Sequence, residues 1–124
     1  MKYLLDTNVF VAIALDEDEK VLTRVMSCRH GDLAMSTISL AEIIHGSLRG
    51  KPPAPDQLDL ILQEIEVLPF DKSAARAYAK LPFRRHSFDR LIAAHALSVD
   101  LPVVTRNIID FQDVPGLRFE NWAE

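Results

Sequence analysis

Short apolar runs alternate with longer segments of helical periodicity along the whole chain. The short runs predict four strands, at residues 2–5, 33–35, 66–68 and 102–105, and residues 117–119 are a candidate fifth strand. The periodic segments predict six helices, at residues 8–15, 17–29, 38–48, 58–65, 71–81 and 87–99. Strands separated by helices pair in parallel through right-handed crossovers. We therefore predict an α/β fold, a three-layer α/β/α sandwich with a central parallel sheet of four to five strands.

Length and composition are typical of one ordinary globular domain, which we expect to span residues 1–124. No apolar run approaches the roughly 20 residues of a membrane span. The N-terminal apolar segment is interrupted by Asp6 and lacks a signal-peptide cleavage pattern. The single cysteine, Cys28, cannot form an internal disulfide. We therefore expect a cytoplasmic protein that does not contact a membrane.

The net charge of −4 argues against a protein that holds nucleic acid by overall electrostatic attraction. One short basic strip runs against this balance and consists of Arg84, Arg85, His86 and Arg90. A basic strip beside an acidic centre can still bind a phosphodiester when metal ions lie between the two. Charge alone leaves both a nucleic acid and a basic partner protein open.

Acidic and amide side chains accompany the predicted elements at one edge of the sheet. Asp6 directly follows the first strand, and Glu42 lies in the helix after the second strand. Asp89 lies in the first turn of the helix that leads into the fourth strand, which Asn107 and Asp110 follow. Ligands of open parallel sheets bind outside the carboxyl ends of the strands, so these residues can converge on one cleft. Clustered carboxylates are costly to bury unless a cation neutralises them, which predicts a metal site.

Each of these residues also has a purely structural interpretation. Asp6 can cap the first helix, although Thr7 and Asn8 offer capping oxygens as well. Glu42 can be an exposed glutamate of an amphipathic helix, and Asp89 can complement its helix dipole. Asn107 and Asp110 can be ordinary turn residues. None of the histidines has the spacing of a zinc site.

Five segments of the sequence resemble those of PIN-domain ribonucleases, in the same order: LLDTNVFVA, STISLAEIIHG, FDRLIAAHAL, VVTRNIIDF and VPGLRFENW. The chain most resembles the VapC toxins of type II toxin–antitoxin pairs. The resemblance implies a metal-dependent endoribonuclease with Asp6, Glu42 and Asp89 as its catalytic acids. It departs from the family at Asn107, where many relatives carry a fourth acid, so Asp110 is a candidate substitute. The segment before Asp89 is also shorter than in many relatives.

By this resemblance, Asp6, Asp89 and Glu42 would hold one or two Mg²⁺ or Mn²⁺ ions, with Asn107 or Asp110 as the candidate further ligand. Hydroxyl groups would hydrogen-bond to these acids from the second coordination shell, namely those of Thr7, Ser36 and Thr105. Basic side chains would position the RNA backbone, namely those of Arg84, Arg85 and Arg90. The resemblance also implies a homodimer and inhibition by a cognate antitoxin protein.

Two other interpretations fit parts of the sequence. A receiver-like domain would use an acidic cluster to bind Mg²⁺ and phosphorylate one aspartate. It would carry paired acids near the first strand and a late lysine, whereas this chain has a single Asp6 there and Arg106 after Thr105. A catalytically silent PIN fold that acts through protein binding would tolerate Asn107 in place of the fourth acid.

Overall fold

The computed structural model describes residues 1–83 and 87–124. Its strands are β1 (Tyr3–Leu5), β2 (Leu33–Ser36), β3 (Glu66–Leu68), β4 (Val103–Thr105) and β5 (Phe119–Asn121). Its helices are α1 (Thr7–Ala14), α2 (Glu19–Met26), α3 (Thr37–Ser47), α4 (Pro55–Ile61), α5 (Lys72–Ala79) and α6 (Phe88–Val99). A single 3-10 turn, Ile108–Asp110, follows β4 in the described part of the chain. The predicted α/β/α sandwich is confirmed, with all five strand candidates present.

The five strands form one parallel sheet in the order β3-β2-β1-β4-β5. The chain builds outwards from β1 to β3 and then returns to the other side of β1 with β4. This reversal is a topological switch point, and helices on opposite faces leave a crevice there at the carboxyl ends of the two central strands. The sheet topology thus places a ligand cleft where Asp6 follows β1.

Two hydrophobic clusters cover the two faces of the sheet. Leu5 and Val104 belong to the cluster formed with α1, α2 and α4, whereas Leu4 and Val103 belong to the cluster formed with α6. Successive side chains of a strand point to opposite faces, so each dipeptide anchors both layers. All four side chains are fully buried. This packing makes the sheet edge a rigid support for the side chains that follow the strands.

Several predicted boundaries differ from the observed ones for local reasons. Helix α2 begins two residues late because the Asp18 side chain accepts hydrogen bonds from the amides of Lys20 and Val21. Helix α4 begins at Pro55, earlier than predicted, because a proline has no N–H to lose in a first turn. Strand β5 begins at Phe119, where it was expected to end. Among the described residues, no helix is both long and apolar enough to cross a membrane.

Candidate active site

Asp6 stands between the end of β1 and the start of α1, and only 4% of its surface is exposed. Its Oδ1 atom accepts a hydrogen bond of 2.8 Å from the amide of Val9, so Asp6 itself caps α1. Of the three capping candidates in the sequence, Asp6 rather than Thr7 or Asn8 therefore takes the position. Asp6 performs the structural role without losing its place at the switch point.

The electrostatics of Asp6 reflect its burial. Burial raises the pKa of its carboxyl group to about 6 from an ordinary value of 3.8, and the negative charge of Asp110 adds to this. Hydrogen bonds from the Thr105 hydroxyl and the Val9 amide oppose the rise in pKa, as does the positive charge of Arg106. The Thr105 contact joins the ends of the two central strands. A buried carboxylate with this pKa favours either a proton or a cation.

Asp89 lies in the first turn of α6, which Ser87 caps by accepting a hydrogen bond of 3.2 Å from the backbone amide of Arg90. Burial raises the pKa of Asp89 to about 6, and the negative charges of Asp110, Asp6 and Glu42 raise it further. Since such charge effects require proximity, these four carboxylates share one electrostatic environment. The structure brings them together from four separate parts of the chain.

Glu42 reaches the site from α3. Its Oε1 atom accepts a hydrogen bond of 2.8 Å from the hydroxyl of Thr7, which lies in the first turn of α1. This contact is between residues 35 positions apart and joins two helices at the edge of the sheet. The bond uses only one of the two carboxylate oxygens of Glu42 and fixes the direction of the carboxylate.

The turn after β4 resolves the positions of the two uncertain residues. The side-chain amide of Asn107 donates a hydrogen bond of 3.0 Å to Oδ2 of Asp110, and its backbone amide donates one of 2.9 Å to the Thr105 hydroxyl. Asn107 is exposed, whereas Asp110 is half-buried. The negative charge felt by both Asp6 and Asp89 comes from Asp110. Asn107 thus holds the Asp110 side chain by a hydrogen bond to its Oδ2 atom.

Comparison with known proteins agrees with this geometry. The model of the PIN domain family matches residues 3–117. The chain belongs to the PIN domain family. Ribonuclease VapC2 of Rickettsia felis is 32% identical, over 98% of each chain. The tRNA(fMet)-specific endonuclease VapC of Shigella flexneri is 30% identical, over 99% of each chain.

Solved structures show the same fold. A chain of VapBC2 from Rickettsia felis, crystallised with a DNA fragment from its promoter, superposes with a TM-score of 0.86 at 28% identity. That match covers 98% of this chain and 99% of the other. DNA-bound VapBC from Salmonella typhimurium matches with a TM-score of 0.81 at 30% identity, over 98% of each chain. The receiver-like interpretation is therefore wrong, and the strand order also differs from the 2-1-3-4-5 order of receiver domains.

Two predicted residues of this PIN domain have other roles. The Ser36 hydroxyl accepts a hydrogen bond of 3.0 Å from the amide of Ile38 and lies 2.8 Å from Nδ1 of His95. Its described hydrogen bonds involve none of the acids, so the expectation that it supports a carboxylate is wrong. Arg90 is 3% exposed and pairs with Asp113, which corrects the expectation that it contacts RNA. Arg84 and Arg85 lie outside the described residues.

Sequence reasoning missed Arg106 as a member of the site. Its positive charge lowers the pKa of Asp6, while its guanidinium lies 3.4 Å from Asp18 and 3.5 Å from Glu17. It therefore connects the acidic loop before α2 to the PIN-domain cleft. Its position directly after Thr105, beside the carboxyl end of β4, was the available signal.

The donor chemistry of the cleft suits a hard divalent cation. The four acids supply oxygen atoms only, which Mg²⁺ and Mn²⁺ prefer. Burial is the main cause of the raised pKa values of Asp6 and Asp89, and neighbouring negative charges add to it. Across residues 1–83 and 87–124, no three histidine, cysteine or acidic side chains are already gathered tightly enough to hold a metal.

Proposed function

We propose that the protein is a metal-dependent endoribonuclease and the toxin of a toxin–antitoxin pair. The observation that carries the proposal is the shared environment of Asp6, Glu42, Asp89 and Asp110 at the switch point of the sheet. The names of the relatives, ribonuclease VapC2 and tRNA(fMet)-specific endonuclease VapC, support the same activity. An acidic cleft in a protein of net charge −4 repels a phosphodiester unless cations intervene.

Asp6 and Asp89 would be the principal ligands of one or two Mg²⁺ or Mn²⁺ ions, with Glu42 as a ligand or as the group that orients water. Asp110 would supply the fourth carboxylate. When bound, such an ion makes a water nucleophilic near neutral pH and stabilises the charge that develops on the phosphate. The protein contributes the orientation of the acids. Releasing the protons that Asp6 and Asp89 retain near pH 6 would accompany ion binding.

Neighbouring polar groups would keep these acids in position during the reaction. Thr105 and the Val9 amide bind Asp6, and Thr7 binds Glu42. Asn107 donates to Oδ2 of Asp110. Each donor satisfies one oxygen lone pair and leaves others for a cation or a water. This pattern matches the way that outer hydrogen bonds orient carboxylate ligands in metal enzymes.

Two solved relatives are VapBC complexes bound to DNA, which supports a cognate antitoxin as a partner of this chain. We also propose a homodimer and an RNA substrate. The name of the Shigella flexneri relative makes initiator tRNA the first substrate to test. Such a substrate places the activity in the cytoplasm. We propose that residues 1–124 form a single PIN-like domain.

The decisive experiment is an RNA cleavage assay. Initiator tRNA and a pool of unstructured RNA are incubated with purified protein in Mg²⁺, in Mn²⁺ or in EDTA. We expect cleavage with either cation, no cleavage in EDTA, and a loss of at least about 100-fold in Asp6→Asn and Asp89→Asn. Asp59→Asn, which changes an exposed acid of α4, is the matched control and should cleave normally. Equal cleavage by the wild type and the two cleft variants would refute the proposal.

The catalytically silent PIN fold is the remaining alternative. It was suggested by the absence of an acid at Asn107, and the nearness of Asp110 to Asp6 and Asp89 weakens that reason. Calorimetric titration with Mn²⁺, run beside the cleavage assay, separates the two. Metal binding without cleavage of any RNA would favour the silent fold.

A further inference from the structure

A cavity opens beside the carboxylates on the side of α3. It has a volume of about 380 Å³ and is lined by Ala41, Glu42, His45 and Phe88. Glu42 and His45 are three residues apart on one helix, so both side chains lie on the same face. The opposite wall is the start of α6. The cavity is therefore bounded by the same two elements that carry Glu42 and Asp89.

Phe88 gives this cavity an unusual wall. It is the first residue of α6, directly before Asp89, and 54% of its surface is exposed. A phenyl ring left half in water forgoes much of the stabilisation that burial provides. Helix packing does not require a ring here, because α6 buries its other face through Ile92, Ala93 and Ala96. The ring instead lines the cavity, which Glu42 also lines.

An RNA strand bound at the carboxylates would bring a base to this wall. A phosphate at the acids is joined through its ribose to a base on either side, and single-stranded RNA is recognised by stacking such bases on aromatic side chains. The flat ring of Phe88 offers a stacking face, while Ala41 opposite leaves room for a base. A duplex end has no splayed base to insert, so this cavity fits a single-stranded nucleotide.

We propose that the cavity is a nucleobase subsite, in which a base next to the cleaved phosphate stacks on Phe88. The proposal rests on the proposed function and deepens it by assigning a base-binding position beside Glu42 and Asp89. Phe88 would be a binding residue of the cleft and would contribute affinity with little choice among bases, because every base has a stacking face.

The test compares Phe88→Leu with Phe88→Tyr. Leucine keeps an apolar side chain but removes the ring, and tyrosine keeps the ring. We expect kcat/KM for a single-stranded RNA to fall about ten-fold in Phe88→Leu, mainly through KM, and to stay near the wild-type value in Phe88→Tyr. Phe83→Leu is the matched control, because that phenylalanine is 81% exposed and does not line the cavity.

Abasic substrates identify the stacked base. The RNA is synthesised with one abasic nucleotide at each position around the cleavage site in turn. At the position that stacks, the wild type should lose about ten-fold, and Phe88→Leu should lose nothing further. A loss in Phe88→Leu that is equal at all abasic positions would overturn the proposal, as would wild-type kinetics in Phe88→Leu on every RNA.

Failure of the proposed function looks different. In that case the wild type cleaves no RNA. Fluorescence anisotropy with a labelled single-stranded RNA of about 12 nucleotides then tests RNA binding by itself. Ten-fold weaker binding by Phe88→Leu than by Phe83→Leu supports the subsite, and equal or absent binding overturns it. A change confined to the sedimentation of Phe88→Leu would assign the ring to a protein contact and would also overturn it.

Discussion

Replacing Asp6 with asparagine should make the protein more stable at neutral pH while removing its activity. Asparagine has the same shape and remains a good helix cap, so the hydrogen bond from the Val9 amide is retained. What the substitution removes is the cost of ionising a buried carboxyl group. Such a trade-off, in which a residue lowers the stability of the fold but is needed for activity, is typical of catalytic residues.

The size of the effect follows from the pKa of Asp6, which is raised from 3.8 to about 6 in the fold. At about 1.4 kcal/mol per pKa unit, ionisation destabilises the folded state by roughly 3 kcal/mol above pH 6. The unfolded chain loses its proton near pH 4, so this destabilisation is absent at low pH and grows as the pH rises to 6. The asparagine N–H₂ group finds an incomplete set of acceptors and costs about 1–2 kcal/mol. We therefore expect a net gain of about 1–2 kcal/mol at pH 8.

Urea denaturation of both proteins, carried out in EDTA between about pH 4.5 and about pH 8, measures this difference in unfolding free energy. The quantity of interest is the unfolding free energy of Asp6→Asn minus that of the wild type, because effects of other groups cancel. It should increase as the pH rises from about 4.5 to 7. Adding Mg²⁺ should stabilise the wild type alone and reduce the difference. A difference that is independent of pH would refute the reasoning.

Three further substitutions test neighbouring contacts. Thr7→Val removes the donor to Glu42 and should lower cleavage about five- to ten-fold with a change in unfolding free energy below about 1 kcal/mol, as measured by kinetics and urea denaturation. Asp110→Asn removes a charge that raises the pKa of Asp89, so that pKa should fall in an NMR titration; an unchanged value would contradict the shared environment. Burial lowers the pKa of His95, so the unfolded chain takes up its proton first and stability should fall below about pH 6.5. His95→Gln should lack that acid-side loss in thermal denaturation, and a loss equal to that of the wild type would count against it.

Helix boundaries show where local sequence information ends. The periodicity of apolar residues placed every helix, because a helix repeats its buried face every few residues. The first residues of α1 and α2 depended instead on which of several polar side chains turned back to cap them. Asp6 and Asp18 took those positions, although neighbouring residues offered similar groups. Competing caps differ by about 1 kcal/mol or less, which tertiary contacts easily outweigh.

The partners of polar and charged side chains could be predicted from the sequence even less well than the helix boundaries. Arg90 looked like part of a basic surface strip, because its sequence neighbours are basic. The structure buries it against Asp113, on a loop that follows β4. Ser36 was expected beside the acids because it lies at the end of β2, yet its side-chain partner is His95 of α6. Such partners come from distant parts of the chain, and sequence position carries no information about their direction.

The sequence by itself determined the order of strands and helices, the parallel sheet, and the location of Asp6, Glu42 and Asp89 near one edge. These follow from periodicity and from the rule that parallel strands end at a common edge. Only the tertiary structure brought the negative charge of Asp110 close to Asp6 and Asp89, with Asn107 bonded to its Oδ2 atom. It also decided the raised pKa values, because burial and the distances between charges exist only in the folded chain.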